Sequence, residues 1–266
     1  MNFTKMNGIG NDYIFINGTE RKINIEKNEI KLLCNRNFGI GGDGLIIVEK
    51  SNISDFKMVI FNSDGSKAEM CGNALRCLIK FVLIERLTDK TNLKIQTDAG
   101  IRSVWLNSDG TVSANMSKPI CIKVPIEYKA DKDMNISGYK VNAGNPHFIV
   151  FSHDFQNLFE KYAKKISENF SVFPYGTNVE FAEIYPQDNL IKMRVYERGS
   201  GETLACGTGA TSVFEIAFLL GKIKEKAKII LKGGEILCSH NDKGEVIITG
   251  KADINFEGKT KIIKGL

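Results

Sequence analysis

The strongest constraint in this chain is an internal duplication. The segment Glu69–Ala74 reads EMCGNA and the segment Leu204–Gly209 reads LACGTG, with their cysteines 135 positions apart. Residues 10–16 resemble residues 144–150 at an offset of 134, and the Gly100 and Gly110 turns have counterparts at that same offset. Two copies are too few for a solenoid. The sequence therefore predicts two domains of one fold, related by a pseudo-two-fold axis.

The length of 266 residues accommodates two medium-sized domains. We place the first at residues 1–117, with Cys71, and the second at residues 118–252, with Cys206. The C-terminal tail, about residues 253–266, is a candidate to pack back onto the first domain.

Each Cys-Gly pair opens a long apolar segment, which predicts helices over Gly72–Glu85 and Gly207–Leu220. The second helix carries only Glu215 as a charge, so it must be buried on nearly all sides. In the first helix, Arg76 and Lys80 are predicted to lie on one polar stripe. Shorter helices are predicted over residues 25–35 and 155–167. Strands are predicted at residues 13–17, 45–49, 56–61, 93–97, 101–106, 111–116, 139–142, 148–151, 179–184, 191–196, 227–231, 235–239 and 245–249.

Because strands surround each long helix, the predicted fold class is α/β (α+β). Two pseudo-symmetric domains are expected, each a curved, mostly antiparallel sheet wrapped around a central helix.

Composition narrows the class of protein. The net charge of +5 is scattered among acidic residues, so no basic stripe predicts nucleic-acid binding. No apolar stretch approaches the roughly 18 residues of a membrane span, and the N-terminus lacks a signal-peptide core. The six cysteines are dispersed, which is typical of a thiol-reduced cytoplasmic protein.

Two segments resemble known binding motifs, but the residues around them do not fit those motifs. The glycines of Gly39–Gly44 match a dinucleotide fingerprint, but a predicted helix precedes them and a strand follows, the reverse of the required order. They predict a tight loop instead. Cys71 and Cys77 lack the spacing of a zinc knuckle, and the histidines form no local cluster, so no metal site is predicted.

The two repeated cysteines are the candidate catalytic groups. A free thiol has a pKa of ~8.5 and is only about 3% ionised at pH 7. A helix N-terminus is expected to lower that pKa, and its N–H groups can also hold a carboxylate. A carboxylate between two such N-termini, with a thiol on either side, describes a racemase site in which one thiolate removes the α-proton and the other thiol returns one. His147 and Glu197 are candidates to shift the pKa values of the thiols. Arg198 is a candidate to bind a second carboxylate through two hydrogen bonds.

These residues resemble diaminopimelate epimerase, a cofactor-independent enzyme family of lysine and peptidoglycan precursor synthesis. The resemblance covers essentially the whole chain. It rests on these blocks: Lys5–Asp12, Phe61–Ser66, Met70–Asn73, Gly144–His147, Asn178–Phe181 and Tyr196–Gly209.

The resemblance implies interconversion of LL- and meso-2,6-diaminopimelate, with Cys71 and Cys206 as the acid and base. Gly72, Asn73, Gly207 and Thr208 would hold the reacting carboxylate. Recognition of the rest of the substrate would fall to Asn11, Asn62, Asn145, Asn178, Glu197 and Arg198. His147 and Glu197 would tune the thiols. The family implies no cofactor, a small amino-acid substrate and a homodimer.

This chain departs from the family at one substrate-contacting position. Some members carry Gln where this chain has Gly44, so that contact is lost or replaced here. Three alternatives stay open at this point, the third of them a small residual. One is a related racemase acting on proline or histidine, although proline-racemase-like chains tend to carry Cys-Gly-His where this chain has Asn73. Another is a thiol-disulfide redox protein, and the third is a non-catalytic binding module.

Overall fold

The computed structural model describes residues 1–132 and 134–261. Two compact units make up the chain. The first consists of Met1–Ala114 and Gly250–Leu266, and the second of Asn115–Thr249. Residues 262–266, the end of the predicted tail, lie outside the described residues.

The first unit is an α+β structure in which helices connect parallel neighbours of a mostly antiparallel sheet. Its helices are α1 (Lys27–Cys34) and α2 (Gly72–Ile84). Its strands are β1 (Asn2–Gly8), β2 (Asn11–Asn17), β3 (Gly44–Glu49), β4 (Phe56–Asn62), β5 (Lys67–Ala68), β6 (Asn92–Thr97), β7 (Gly100–Leu106), β8 (Val112–Asn115) and β19 (Asp253–Lys259).

The sheet of the first unit runs in the order β19-β1-β2-β3-β4-β6-β7-β8. The pairs β2–β3 and β4–β6 are parallel, and the others are antiparallel. Parallel neighbours need a crossover connection, which α1 and α2 provide. Helix α2 contacts β1, β2 and β7. Because β1 and β7 are far apart in the sheet, the sheet must curve around α2 for both to touch it.

The second unit has the same plan. Its helices are α3 (Phe155–Ser167) and α4 (Gly207–Leu219). Its strands are β9 (Ile120–Cys121), β10 (Ile126–Asp131), β11 (Met134–Asn142), β12 (Pro146–Phe151), β13 (Asn178–Tyr185), β14 (Leu190–Glu197), β15 (Gly201–Glu202), β16 (Lys226–Leu231), β17 (Gly234–His240) and β18 (Val246–Gly250).

The sheet of the second unit runs in the order β10-β11-β12-β13-β14-β16-β17-β18. Its parallel pairs are β12–β13 and β14–β16, which correspond one for one to those of the first unit. Helix α4 contacts β11 and β17, so this sheet also curves around its long helix. The predicted fold class, with pseudo-symmetric curved sheets around central helices, is confirmed.

The two long helices are buried on nearly every side, as their composition predicts. In α4 the one charge, Glu215, is only 2% exposed. Its carboxylate lies 2.7 Å from His240 Nε2, so the buried charge has a partner. In α2 the prediction for Arg76 was wrong, because this side chain is fully buried and belongs to no polar stripe. Its guanidinium donates to the first turn of its own helix.

Strands β1, β10 and β19 were not predicted, and neither were the two-residue strands β5, β9 and β15. Strand β1 buries Lys5 at 5% exposure, where an apolar residue would be expected. Strand β19 is exposed along most of its length and pairs antiparallel with β1. A strand without an apolar face gives no period-2 signal.

Candidate active site

In the first unit, Cys71 is the residue immediately before helix α2. Its backbone is extended, with φ −143° and ψ 118°, so the helix begins at Gly72. The hydroxyl oxygen of Tyr13 lies 3.1 Å from Cys71 Sγ. The predicted thiol at a helix start therefore exists in this unit, with a phenol in contact.

The first turn of α2 is fixed from two directions. Arg76 donates from Nη2 to Asn73 Oδ1 at 2.8 Å and from Nη1 to the Gly72 carbonyl at 3.2 Å. Strand β1 ends against the same turn, since a Cβ on Gly8 would lie 3.0 Å from the Asn73 carbonyl oxygen. The glycine thus permits a close backbone approach. Gly72 and Asn73 are both buried, and their position is set by packing.

Other candidate residues of this unit lie at the ends of neighbouring strands. Asn11 is buried where β2 begins. Asn62 ends β4 and donates from Nδ2 to Ser66 Oγ at 3.0 Å. Gly44 pairs with Asn62 across the sheet, and a Cβ there would lie 2.5 Å from the Phe61 carbonyl oxygen. A glutamine at position 44 would therefore require the backbone of this strand pair to move apart.

The glycine-rich segment Gly39–Gly44 is held by an ionic cluster. The Lys5 ammonium contacts the Asp12 carboxylate at 2.7 Å and also donates to the Gly41 carbonyl. Arg36 donates to both oxygens of Asp12 at 3.0 and 2.7 Å, and to Asp43 at 2.9 Å. Burial opposes ionisation of Asp12, but the hydrogen bonds from Arg36 and Lys5 lower its pKa to about 2.

Asp12→Asn is expected to lower the stability of the protein at neutral pH. Because the folded pKa of about 2 lies below the unfolded value, the ionised carboxylate stabilises the fold above about pH 4, and this contribution disappears as pH falls toward 2. The shift from 3.8 to about 2 corresponds to at most about 2.5 kcal/mol. Thermal melting of both proteins between pH 7 and about pH 2 measures it.

The melting temperatures of the two proteins should differ at neutral pH and converge in acid. Asp89→Asn, at an exposed position, is the matched control and should change little. A constant difference between Asp12→Asn and the parent protein across this pH range would contradict the ionic account of the loop.

In the second unit, Cys206 is the residue immediately before helix α4. Its backbone matches that of Cys71, with φ −131° and ψ 113°. Cys206 Sγ accepts a hydrogen bond from the Gly209 N–H at 3.3 Å and lies 3.3 Å from Thr208 Oγ1. The side chain is buried, at 4% exposure, and Gly207 and Thr208 are buried beside it.

A buried acid–base cluster lies beside Cys206. His147, on β12, places Nδ1 2.7 Å from Glu180 Oε1 and Nε2 2.9 Å from Asn145 Oδ1. Glu180 lies on the adjacent strand β13 and is fully buried. A Cβ on Gly209 would lie 2.7 Å from Glu180 Oε1. The Glu180 carboxylate therefore rests directly on the first turn of α4.

Glu197 is the second carboxylate near the Cys206 thiol. It ends β14 and accepts a hydrogen bond from Thr203 Oγ1 at 2.5 Å. Burial raises the pKa of Glu197, and the charge of Glu180 adds to this. Hydrogen bonds from Thr203 and Cys206 and the proximity of His147 act in the opposite direction.

The expected low pKa at both thiols is wrong for Cys206. Burial and the carboxylates of Glu197 and Glu180 raise the pKa of Cys206 well above its usual value. The Gly209 N–H and Thr208 hydroxyl favour the thiolate, but they do not compensate for desolvation and two nearby anions. The helix N-terminus alone therefore does not decide the protonation state of this cysteine.

Asn178 and Arg198 form a separate part of the second unit's candidate set. The Asn178 side chain accepts from the Arg198 N–H at 2.9 Å and donates to the Pro146 carbonyl at 3.0 Å. The exposed Arg198 guanidinium donates to the Tyr175 carbonyl at 2.6 Å. A Cβ on Gly176 would lie 2.8 Å from Arg198 Cδ. Asn178 thus orients the backbone that carries Arg198.

Tyr13, Glu180 and Thr203 are site residues that were not predicted from the sequence. A signal for Glu180 existed, because in strand β13 it shares a face with Asn178 and interrupts an apolar run. Tyr13 likewise shares a face of β2 with Asn11. These alternations identify the positions, but which thiol each residue meets depends on the sheet register.

Three of the four remaining thiols are poorly suited to ionise. Burial raises the pKa of Cys34 to about 11 and the pKa values of Cys77 and Cys121 to about 12. Cys238 is completely buried. These environments fit a packing role.

No helix among the described residues is long and apolar enough to span a membrane.

Comparison with known proteins identifies close relatives in sequence. A profile of the diaminopimelate epimerase family matches residues 3–122 and 139–255. A diaminopimelate epimerase of Methanococcus maripaludis is 41% identical over 98% of this chain and 100% of its own length. One from Leptospira biflexa is 40% identical over 98% of this chain and 99% of its own length.

Solved structures show the same fold at much lower sequence identity. A probable proline racemase from Agrobacterium radiobacter superimposes with a TM-score of 0.76 and 13% identity, covering 98% of this chain and 92% of that protein. The predicted family resemblance is therefore confirmed in sequence over 98% of the chain, and the solved structure shares the fold.

Proposed function

The chain belongs to the diaminopimelate epimerase family, and we propose that it interconverts LL- and meso-2,6-diaminopimelate by a two-thiol mechanism. The observation that carries this proposal is the repeated arrangement of a cysteine at the start of a buried helix, at Cys71 and again at Cys206. Two equivalent thiols suit a reaction that removes a proton from one face of a carbon and adds one to the other.

The reaction requires a fixed α-carboxylate. The N–H groups at the start of α2, near Gly72 and Asn73, and of α4, near Gly207 and Thr208, would hold it. One cysteine thiolate removes the α-proton, and the electron pair of the C–H bond remains on the α-carbon. The thiol of the other cysteine then donates its proton to the opposite face. The two cysteines exchange protonation states, and no further reactant is consumed.

The α-hydrogen of an amino acid is very weakly acidic, so the site must stabilise the developing carbanion. Preorganised N–H dipoles in a water-excluded site provide this without reorganisation during the reaction. We propose that Glu197 and His147 set the pKa of the Cys206 thiol. Glu197 lies beside that thiol, and His147 binds Glu180 in the same buried cluster. All of these groups belong to the chain, so the proposed reaction needs no cofactor.

Diaminopimelate carries a second amino-acid end, which must also be recognised. We propose that Asn11, Asn62, Asn145, Asn178, Glu197 and Arg198 bind the remainder of the substrate. The Arg198 guanidinium is exposed and already oriented by Tyr175, which suits bidentate recognition of the distal carboxylate.

Arg198→Lys is expected to raise the KM for diaminopimelate by about tenfold, because Lys lacks the planar fork of Arg and charged hydrogen bonds contribute about 1.5–3 kcal/mol. Steady-state kinetics measure the change. The control is Arg194→Lys on strand β14, whose guanidinium pairs with Glu202 and Glu160. An unchanged KM in Arg198→Lys would remove Arg198 from the substrate site.

We also propose a cytoplasmic homodimer acting in lysine and peptidoglycan precursor synthesis. The scattered charge, the dispersed cysteines and the names of the relatives support the setting. The family resemblance supports the dimer, and sedimentation of the purified protein tests it.

The substrate assignment is tested by proton NMR of the reduced protein in D2O with LL-diaminopimelate, proline and histidine in parallel. Loss of the α-proton signal with diaminopimelate alone is the expected result. Exchange only with another amino acid would overturn the substrate while keeping the two-thiol chemistry. No exchange in a folded, fully reduced sample would contradict the proposed reaction.

A further inference from the structure

The matched strand registers of the two units allow their cysteine environments to be compared position by position. In the first unit, Tyr13 of β2 pairs with Gly44 of β3. In the second unit, His147 of β12 pairs with Asn178 of β13. Each is the first residue pair of the corresponding parallel strand pair, β2–β3 or β12–β13. Tyr13 therefore occupies the position in the first unit that His147 occupies in the second.

The correspondence extends along the neighbouring strands. Two residues into β3 and β13, Ile46 matches Glu180. At the ends of β4 and β14, Asn62 matches Glu197. The three positions that carry His, Glu and Glu near Cys206 thus carry Tyr, Ile and Asn in the first unit. One backbone plan supports two chemically different surroundings.

The surroundings of Cys206 disfavour a thiolate. Glu180 from β13 and Glu197 from β14 face the thiol, with His147 from β12 and Thr208 from α4 beside them. Glu180 is fully buried, and its Oε2 has no hydrogen-bond partner among the described residues. Ionising Cys206 would add a further anion to this buried group, at a large electrostatic cost.

The surroundings of Cys71 include a hydrogen-bond donor for a thiolate. The Tyr13 hydroxyl from β2, 3.1 Å from Cys71 Sγ, can turn its hydrogen toward the sulfur when the sulfur is charged. Within α2, the buried guanidinium of Arg76 lies against the first turn through Gly72 and Asn73. Both groups favour negative charge at this end of the helix.

We propose that the resting protein carries its thiolate at Cys71 and keeps Cys206 as the thiol. The Tyr13 hydroxyl acts as a catalytic donor to Cys71, and Glu180 acts as a positioning residue that holds the proton on Cys206. The assignment rests on the proposed function, since it fixes the starting protonation of that reaction. In the first turnover, Cys71 accepts the α-proton and Cys206 gives up its own. Proton exchange with water after product release restores the starting state.

The test is the pH dependence of alkylation at each cysteine, without substrate. The reduced protein is treated briefly with iodoacetamide over a series of pH values, and each labelled peptide is quantified by mass spectrometry. Trypsin cleaves after Arg76 and therefore separates Cys71 from Cys77. The midpoint of each profile, unlike its absolute rate, does not depend on how accessible the sulfur is. The expected midpoint for Cys71 lies below that for Cys206.

Two variants test the named residues. Tyr13→Phe is expected to raise the Cys71 midpoint by about one pH unit, because it removes a hydrogen bond to a charged group. Glu180→Gln is expected to lower the Cys206 midpoint by about one unit or more, because it removes a buried anion. The matched controls are Tyr128→Phe, which removes another buried hydroxyl, and Glu183→Gln, which removes the carboxylate of the exposed His153 pair. Neither control should move either midpoint.

Equal or reversed midpoints in the unsubstituted protein would overturn the proposal, and this measurement requires no variant to fold. Shifts in Tyr13→Phe and Glu180→Gln no larger than those of their controls would remove these two residues from it. The proposed function is tested independently of the thiol assignment. A protein with the expected midpoints that exchanges no α-proton in D2O would refute the epimerase activity and leave the thiol assignment standing.

Discussion

Cys71→Ala and Cys206→Ala are each expected to reduce the epimerisation rate of diaminopimelate by about a thousandfold or more. Each substitution removes a group that accepts or donates the transferred proton, and a positioned acid or base contributes about 10²–10⁴-fold. Removing one of two obligatory partners interrupts the whole transfer, so the effects of the two substitutions should not add. The rate of meso-diaminopimelate formation from the LL isomer measures this loss.

Cys77→Ala is the matched control, because this thiol lies in the same helix as Cys71 and is fully buried. It should change stability through packing and leave the rate nearly intact. Turnover close to that of the parent protein in either Cys71→Ala or Cys206→Ala would contradict the two-thiol scheme.

Gly209→Ala is expected to lower the epimerisation rate by about a hundredfold with the fold retained. The added methyl group would lie 2.7 Å from Glu180 Oε1 and 3.3 Å from Cys206 Sγ, so the carboxylate, the thiol or the helix start must move. A misplacement of about 1 Å at a reacting group can cost about 10² in rate. Steady-state kinetics combined with thermal melting separates this effect from unfolding.

Gly221→Ala, just beyond the C-terminal end of α4, is the control, and it is expected to affect stability rather than the rate. No atom lies within 4 Å of a Cβ there, but the backbone has φ +68°, which disfavours any side chain. This variant should lose stability, by about 1 kcal/mol, and keep its rate. Equal activity in Gly209→Ala and Gly221→Ala would show that contact between Glu180 and the first turn of α4 does not matter for catalysis.

Local sequence patterns were sufficient to predict the helices. The predicted bounds Phe155–Ser167 are those of α3, and both long helices end one residue before their predicted ends. A helix that is apolar over most of its surface gives a strong signal, and a Cys-Gly pair with extended backbone at the cysteine marks where it begins. The duplication then predicted that both helices would have the same strand environment.

Strands without a buried face were not predictable in the same way. Strand β19 is mostly exposed and is held by backbone pairing with β1. Strand β1 buries Lys5 because Asp12 and the Gly41 carbonyl supply partners; Asp12 lies on the paired strand β2, and Gly41 lies in the distant glycine-rich segment. Backbone hydrogen bonds and buried ion pairs depend on tertiary contacts, so they leave little trace in local periodicity.

The site likewise has properties that depend on tertiary contacts and could not be predicted from local sequence. The position of Cys206 at a helix N-terminus follows from its sequence, but the direction of its pKa change does not. That direction depends on Glu180, which reaches the first turn of α4 only because β13 pairs in parallel with β12 in one particular register. Sequence repetition predicted two similar thiols, whereas the unlike residues on equivalent strands make their surroundings different.

The central claim is that two different thiols serve the two faces of the α-carbon. Its most direct test is the isotope distribution early in the reaction of the reduced protein with LL-diaminopimelate in D2O, stopped while little substrate has been converted. We expect deuterium at the epimerised carbon of the meso product and protium in the remaining LL substrate, because the donating thiol carries a solvent deuteron while the accepting thiol holds the abstracted proton. Deuterium entering the LL pool as fast as product forms would indicate a single base acting on both faces, and would contradict the account.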